Sequence, residues 1–250
     1  MSAANVRAVI VAAGGANYGS LREACRRIGV EADISDDPQR IRDATHVILP
    51  GVGAAAQAMH GLRERGLDRV LRNLAQPLLG VCLGMQLLHE SSDEAPVAEH
   101  HSHPNAPGPQ AQPSGVQRRA GQRSANAPLQ PFEGEDFQVA ADAAITECLG
   151  LLRGRVSRLP AAPRWPHMGW NTLQPPASPH PLLAGIATHA WFYFVHGYAA
   201  PVSSDTIVAA EHGYPFAAAV ARGNVYGVQF HPEKSAAAGR HLLANFFALT

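Results

Sequence analysis

Cys82 has a glycine two residues away on each side, Gly80 and Gly84, within the run Leu78 to Leu88, LLGVCLGMQLL. A thiol in that setting points to nucleophilic attack on a carbonyl carbon. Its small neighbours permit a sharp elbow from strand to helix, with unusual backbone angles at the nucleophile and the sulfur lifted above the strand ends. The same turn aims the first backbone N–H groups of the next helix at whatever the sulfur attacks. There they favour a thiolate and can hold an oxyanion. Far along the chain, His231-Pro232-Glu233 supplies the other half of such chemistry. The proline keeps His231 extended, and Glu233 is close enough to orient the imidazole. A cysteine on an elbow and a histidine held by a carboxylate are the parts of a Cys-His-Glu triad. Each stretch alone also has a plain reading, as a buried strand entering a core helix or as an exposed turn. The elements around them must decide.

Those elements read as alternating strands and helices. Ala8 to Ala13 is a continuous apolar run, as in a parallel strand covered on both faces, and Gly14-Gly15 breaks it. Ser20, with Glu23 three residues on, reads as a capping box opening a helix along Leu21, Ala24, Cys25 and Ile28 that Gly29 ends. Cys25 is thus a core residue. Thr45 to Leu49 is a second strand running into Pro50-Gly51-Val52-Gly53, either a ligand-facing loop or an ordinary turn. Helical sequence follows to Asn73, and Pro77 starts the central strand and elbow. The pattern predicts an α/β fold, a doubly wound and mostly parallel sheet with ligands at the carboxyl ends of its strands.

The second half is richer in hairpin-like strands. Arg155 to Leu159 reads as a short edge strand and Pro166 to Asn171 (PHMGWN) as a loop. Trp191 to Val195, Thr206 to Ala210, Ala217 to Ala221 and Val225 to Phe230 read as strands. Leu242, Leu243, Phe246 and Phe247 mark a C-terminal amphipathic helix. Between the halves, residues 95–131 hold seven prolines and only Val97, Val116 and Leu129 as large apolar residues. A single domain interrupted by a disordered insertion at about 95–144 is expected. Its histidines, His100, His101 and His103, have no complementary ligand pair, so no metal is assigned.

The bulk composition narrows the partners. The 250 residues are 46% hydrophobic, enough for one large domain, and 20 acidic against 20 basic residues give no net charge. Neither a nucleic-acid nor a membrane surface is expected. Three widely spaced cysteines, no CxxC pair and no apolar run of transmembrane length fit a reducing, cytoplasmic setting.

Five motifs in order resemble the class I (triad) glutamine amidotransferases, and within them the glutaminase subunits of imidazole glycerol phosphate synthases. They are PGVG at 50–53, GVCLGMQLL at 80–88, PHMGWN at 166–171, YFVHGY at 193–198 and GVQFHPEKS at 227–235. The resemblance implies that Cys82 attacks glutamine, His231 moves protons and Glu233 sets its tautomer. The oxyanion donors it implies are the Leu83 amide and an amide of the Val52-Gly53 loop. Gln86, Glu94, Tyr193 and Gly197 would bind the substrate, and no cofactor is needed. A separate (β/α)8-barrel cyclase would use the ammonia to make imidazole glycerol phosphate and AICAR. Asn17, His167, Met168, Trp170 and Asn171 would face that partner. The chain departs from the family at Ala12, where many members have an acid, and at Gly197, where a small hydroxyl residue is usual. A glutaminase serving another synthase, or a catalytically idle regulatory module, are the alternatives.

Overall fold

Strands that are apolar along their whole length need cover on both faces, and the central sheet receives it. The computed structural model describes residues 6–14, 17–94, 145–160, 164–176 and 178–250. Strands Ala8–Val11 (β1), Ala32–Ser35 (β2), His46–Gly51 (β3) and Leu78–Cys82 (β4) alternate with helices Tyr18–Arg26 (α1), Pro38–Asp43 (α2), Ala55–Glu64 (α3) and Leu67–Arg72 (α4). Helix Leu83–Leu87 (α5) leaves the elbow, followed by Ser91–Ser92 (β5) and, beyond the undescribed stretch, Thr146–Glu147 (β6). The remainder is Arg155–Arg158 (β7), His167–Thr172 (β8), Trp191–His196 (β9), Tyr198–Ala199 (β10), Thr206–Glu211 (β11), Pro215–Arg222 (β12), Val225–Val228 (β13) and helix Ala236–Phe247 (α6).

The main sheet has seven strands in the order β11-β12-β13-β4-β3-β1-β2. From β13 to β2 all neighbours run parallel, while β12 and β11 are antiparallel additions. Successive residues face opposite sides. Ile10, Ile48 and Leu79 enter one core with Leu21, Phe192, Phe230 and Leu242. Val9, Val47 and Leu78 enter the other with Met59, Leu62 and Leu67. The topology places β4 in the middle with β3 and β13 on either side, so the carboxyl ends of all three open at one place. Ligand sites of parallel sheets lie at such ends.

The doubly wound, mostly parallel reading with extra antiparallel strands in the second half matches this sheet. Several local expectations need correction. Helix α1 begins at Tyr18, not Ser20: the Asn17 side chain accepts from the Ser20 N–H at 3.2 Å, and Glu23 pairs with Arg26 and Arg27 instead of closing a capping box. PHMGWN is not a loop. Residues 167–172 pair with β9 in a two-stranded antiparallel ribbon, and the polar side chains on the ribbon's inner face hid the usual strand alternation. The segment starting at Arg155 is not an edge strand either, because β7 lies between β10 and β5 in a small four-stranded sheet. The last strand ends at Val228, before Phe230. Residues 95–144, with the histidine trio, lie outside the described residues. The strands that flank them, β5 and β6, pair with each other. No helix among the described residues is long and apolar enough to cross a membrane.

Candidate active site

The elbow forms as its glycines require. Cys82 sits at φ 53° and ψ −114°, a region that side chains rarely adopt and that the surrounding packing must enforce. A Cβ on Gly84 would lie 1.8 Å from the carbonyl oxygen of Leu49, and one on Gly80 would lie 2.7 Å from Met85 Cα. The first turn of α5 therefore lies directly on β3. Pro50 and Gly51 belong to that strand, Gly51 in register with Cys82, which leaves Val52 and Gly53 as the turn. Gly53 has φ +88° and Val52 is exposed.

His231 arrives from β13 on the other side. Its backbone N–H donates to Tyr193 O at 2.9 Å. The Ser235 hydroxyl donates to His231 O at 2.6 Å and accepts from the Tyr193 N–H at 3.0 Å. This brace ties the turn after β13 to β9. His231 Nδ1 lies 2.8 Å from Glu233 Oε1, with both side chains almost wholly buried. With Nδ1–H donated to the carboxylate, Nε2 is the end left for chemistry. Nε2, like Glu233 Oε2, has no hydrogen-bond partner among the described residues. Burial alone would lower the imidazole's pKa, but the attraction of Cys82 and Glu233 outweighs it and pushes it up to about 10. The pair thus favours a protonated imidazole beside the sulfur. Cys25 and Cys148, by contrast, are pushed up to about 12 and about 11 by burial, so they are inert thiols.

Between these groups lies a cavity of about 360 Å³. Cys82, Leu83, His231, Val52 and Gly53 form its reactive end, with Gln86, Glu94, His196, Gly197 and Tyr198 around the remainder. Most of the expected site residues are thus brought together. Tyr193 is not among the lining residues: its ring packs against Trp170 at 5.9 Å, and Lys234, which does line the cavity, stands over it with Nζ 5.5 Å from the ring centre. Tyr198 is the tyrosine that lines the cavity. Glu94 has a second task, since its Oε2 accepts from the Ala55 N–H at 2.9 Å. Ala54 at the N-cap of α3 has no side chain able to do so, so a residue 39 positions away caps that helix. Burial raises the Glu94 carboxyl pKa, partly offset by that amide. The carbonyl of Gly197 is also occupied, accepting from the Leu159 N–H and the Trp165 indole, each at 2.9 Å.

The wall behind the cavity is a set of imidazoles whose tautomers are fixed from one end. His196 Nδ1 lies 2.9 Å from Tyr198 O, and a carbonyl can only accept. Nε2 of His196 is then an acceptor, and His167 Nδ1, 2.9 Å away, donates to it. Burial holds His196 down to about 3, and burial with the neighbouring His212 holds His167 down to about 4. Both rings are neutral.

The ribbon has two unlike faces. His167 is 4% exposed and stacks between Phe194 and His212, and the Asn171 amide donates to Glu211 O at 2.8 Å. These two candidate partner residues brace the ribbon from behind. Met168, Trp170 and Trp191 are 68%, 50% and 58% exposed on the front. Large side chains rarely stand so open in a cluster unless something covers them. Asn17 is exposed at the start of α1.

Motif reading missed Gln229, Trp165, Ser235 and the imidazole wall. Gln229 is fully buried, with its amide nitrogen 3.8 Å from Cys82 Sγ, and its place in the GVQFHPEKS stretch was the available signal.

Residues 9–249 match the model of the family "Glutamine amidotransferase class-I". Among the similar proteins is the imidazole glycerol phosphate synthase subunit HisH of Xanthomonas axonopodis pv. citri (strain 306), 42% identical over 243 residues that cover 96% of each chain. The subunit of the same name from Vibrio cholerae serotype O1 is 40% identical, over 96% of this chain and 98% of its own. Similar solved structures include a glutamine amidotransferase with a TM-score of 0.61 and 17% identity over 96% of this chain and 97% of its own. A glutamine amidotransferase from Thermotoga maritima gives a TM-score of 0.54 and 16% identity over 96% of this chain and 81% of its own. At such identities these two structures speak for the fold alone.

Proposed function

The chain belongs to the class-I glutamine amidotransferase family, and from that premise we propose that it is the glutaminase subunit of an imidazole glycerol phosphate synthase in histidine biosynthesis. One observation carries the chemistry. A cysteine on a strained elbow and a buried His231–Glu233 pair at 2.8 Å share one cavity. The Cys82 thiolate attacks the carboxamide carbon of glutamine, and the C=O π pair moves onto oxygen. The resulting oxyanion is held by the Leu83 amide and an amide of the Val52-Gly53 turn. Collapse expels ammonia, whose leaving nitrogen takes the proton on His231 Nε2. Water then attacks the thioester, gives its proton to the same nitrogen, and glutamate leaves as the thiolate returns. Glu233 keeps Nε2 the reactive end throughout.

The ammonia serves a (β/α)8-barrel cyclase on a separate chain. That partner converts phosphoribulosyl-formimino-AICAR phosphate to imidazole glycerol phosphate and AICAR. Free ammonia is mostly protonated in neutral water and has then lost its nucleophilic lone pair, so delivery has to be dry. The exposed Met168, Trp170 and Trp191 support docking of the partner on the front of the ribbon, in the cytoplasm. Residues 95–144 would interrupt a single domain, since the strands flanking them pair.

The test is Cys82→Ser in the complex with the barrel cyclase. Serine forms far less nucleophile than a thiol whose reference pKa is about 8.5. Glutamine-dependent synthesis should vanish, while synthesis with added ammonia should continue. Glutamine turnover near the parent rate in Cys82→Ser would refute the triad, and a complex that forms with a different synthase would refute the assignment of partner.

A further inference from the structure

The sulfur of Cys82 has two neighbours besides His231, of opposite character. As a thiol it donates to Val195 O at 3.7 Å, a bond that disappears on ionisation, because a carbonyl repels a thiolate. The second is the Gln229 side-chain nitrogen, 3.8 Å from the sulfur. Which end of an amide faces a given atom is read from its hydrogen-bond network, and here the network leaves one answer. Tyr198 O can only accept, and the Gln86 side chain lies 2.8 Å from it through Nε2. The second hydrogen of that nitrogen then meets Gln229 at 3.0 Å, and the atom receiving it must be Oε1. The Gln229 N–H₂ group is thereby turned to the sulfur. Gln229 is fully buried and Gln86 is 4% exposed, so water does not compete for these bonds.

We propose that Gln229 is a further catalytic residue, its amide donating to the Cys82 thiolate, with the direction of donation set through Gln86 by the Tyr198 carbonyl. The proposal rests on the glutaminase reading of the same cavity. It assigns Gln229 two moments of action. Before attack it holds the sulfur's negative charge. In deacylation the C–S bond breaks, its electron pair returns to sulfur, and the same N–H receives it. The amide itself exchanges no proton, which leaves all proton movement to His231.

The test uses the intact chain and iodoacetamide, whose reaction with Cys82 follows thiolate directly and needs no glutamine. A chain carrying Cys82→Ser supplies the background from Cys25 and Cys148. Gln229→Met keeps the volume and removes the donor. Its alkylation at pH values below the parent's midpoint should slow roughly 10- to 100-fold, the range for hydrogen bonds to charged groups. The midpoint of alkylation against pH should move up by a unit or more, and kcat for glutamine should fall in step with KM little changed. Gln229→Glu still accepts from Gln86 but sets a carboxylate against the sulfur, so its loss should be larger. Gln86→Met frees Gln229 to turn and also changes the cavity lining, so it is read by alkylation, which needs no glutamine: the midpoint should move the same way by less, and this decides the matter if Gln229→Met fails to fold. Alkylation profiles that superimpose on the parent, or a loss confined to KM, would overturn the assignment. Failure of the glutaminase reading would instead appear as turnover surviving Cys82→Ser.

Discussion

Gly197 occupies the cavity wall at a position where the sequence resemblance leads one to expect a small hydroxyl residue, and Trp165 leaves no room for one there. A Cβ added to Gly197 would lie 2.7 Å from Trp165 Cζ2, 2.9 Å from Cε2 and 3.0 Å from Nε1. Ordinary contact begins near 3.4 Å, so the indole would have to move by about 0.5–1 Å or leave. It is held by its bond to Gly197 O at 2.9 Å and by the Arg158 guanidinium 4.4 Å from the ring centre. Losing the bond costs about 1 kcal/mol and losing the exposed stack about 0.5–1 kcal/mol. Gly197→Ser should therefore destabilise the fold by about 2 kcal/mol. The backbone is no obstacle, because Gly197 is not among the positive-φ residues. Trp165→Ala should cost about the same, about 2 kcal/mol, since the same contacts are lost, and the double variant should be no worse than Trp165→Ala alone. Denaturant unfolding of the four proteins gives the coupling energy, expected at about 2 kcal/mol, with the glutamine KM of each measured alongside. Effects that add to within about 0.5 kcal/mol would show that the indole does not press on Gly197, and the reasoning would fail.

Gly84→Ala places a methyl carbon 1.8 Å from Leu49 O, backbone against backbone, so a loss of about 3 kcal/mol or more is expected. That corresponds to a melting temperature lower by roughly 6–12 °C for a chain of this size, and an unchanged melting curve would refute the packing of the elbow on β3. The buried imidazoles make stability depend on pH in two directions. His196 and His167, held at about 3 and about 4, stay neutral in the fold but take protons near 6.5 when unfolded. Their contribution is full above about pH 6.5 and shrinks as pH falls, by about 1–2 kcal/mol each at pH 5. His231, raised to about 10, behaves oppositely: its contribution is full below about 6.5 and is lost as pH rises toward 10. Denaturant midpoints should thus fall from pH 6.5 to pH 5, and a flat or rising curve there would contradict the neutral wall.

The parallel half of the fold was legible because its signals are local. A run such as Ala8 to Val11 is apolar at every position, and only a strand covered on both faces can use that. The glycines around Cys82 announced an elbow because no other residue fits two backbones so close. The ribbon was not legible in the same way. His167 and Asn171 point inward where an ordinary strand would place apolar side chains, and the residues that accept them, His196, His212 and Glu211, lie far along the chain. The start of α1 was misread for a smaller reason: Asn17 and Ser20 can both cap, and spacing does not choose between them.

The site divides along the same line. Cys82, His231 and Glu233 are recognisable because acyl transfer demands those groups, whatever surrounds them. What surrounds them is set by one backbone carbonyl that no sequence pattern marks. Tyr198 O accepts from Gln86 at 2.8 Å and from His196 at 2.9 Å. The first bond turns Gln229 toward the sulfur, and the second fixes the tautomers of His196 and His167. Tyr198 itself begins β10, which is held to β7. The strand just before it, β9, carries the outer face of the ribbon, the Val195 carbonyl that the thiol donates to and the Tyr193 carbonyl that holds His231. The polarity of the site is thus written on the same segment that presents Trp191, and a partner docked on that face, as proposed, would act on a strand already bonded both to Cys82 and to His231.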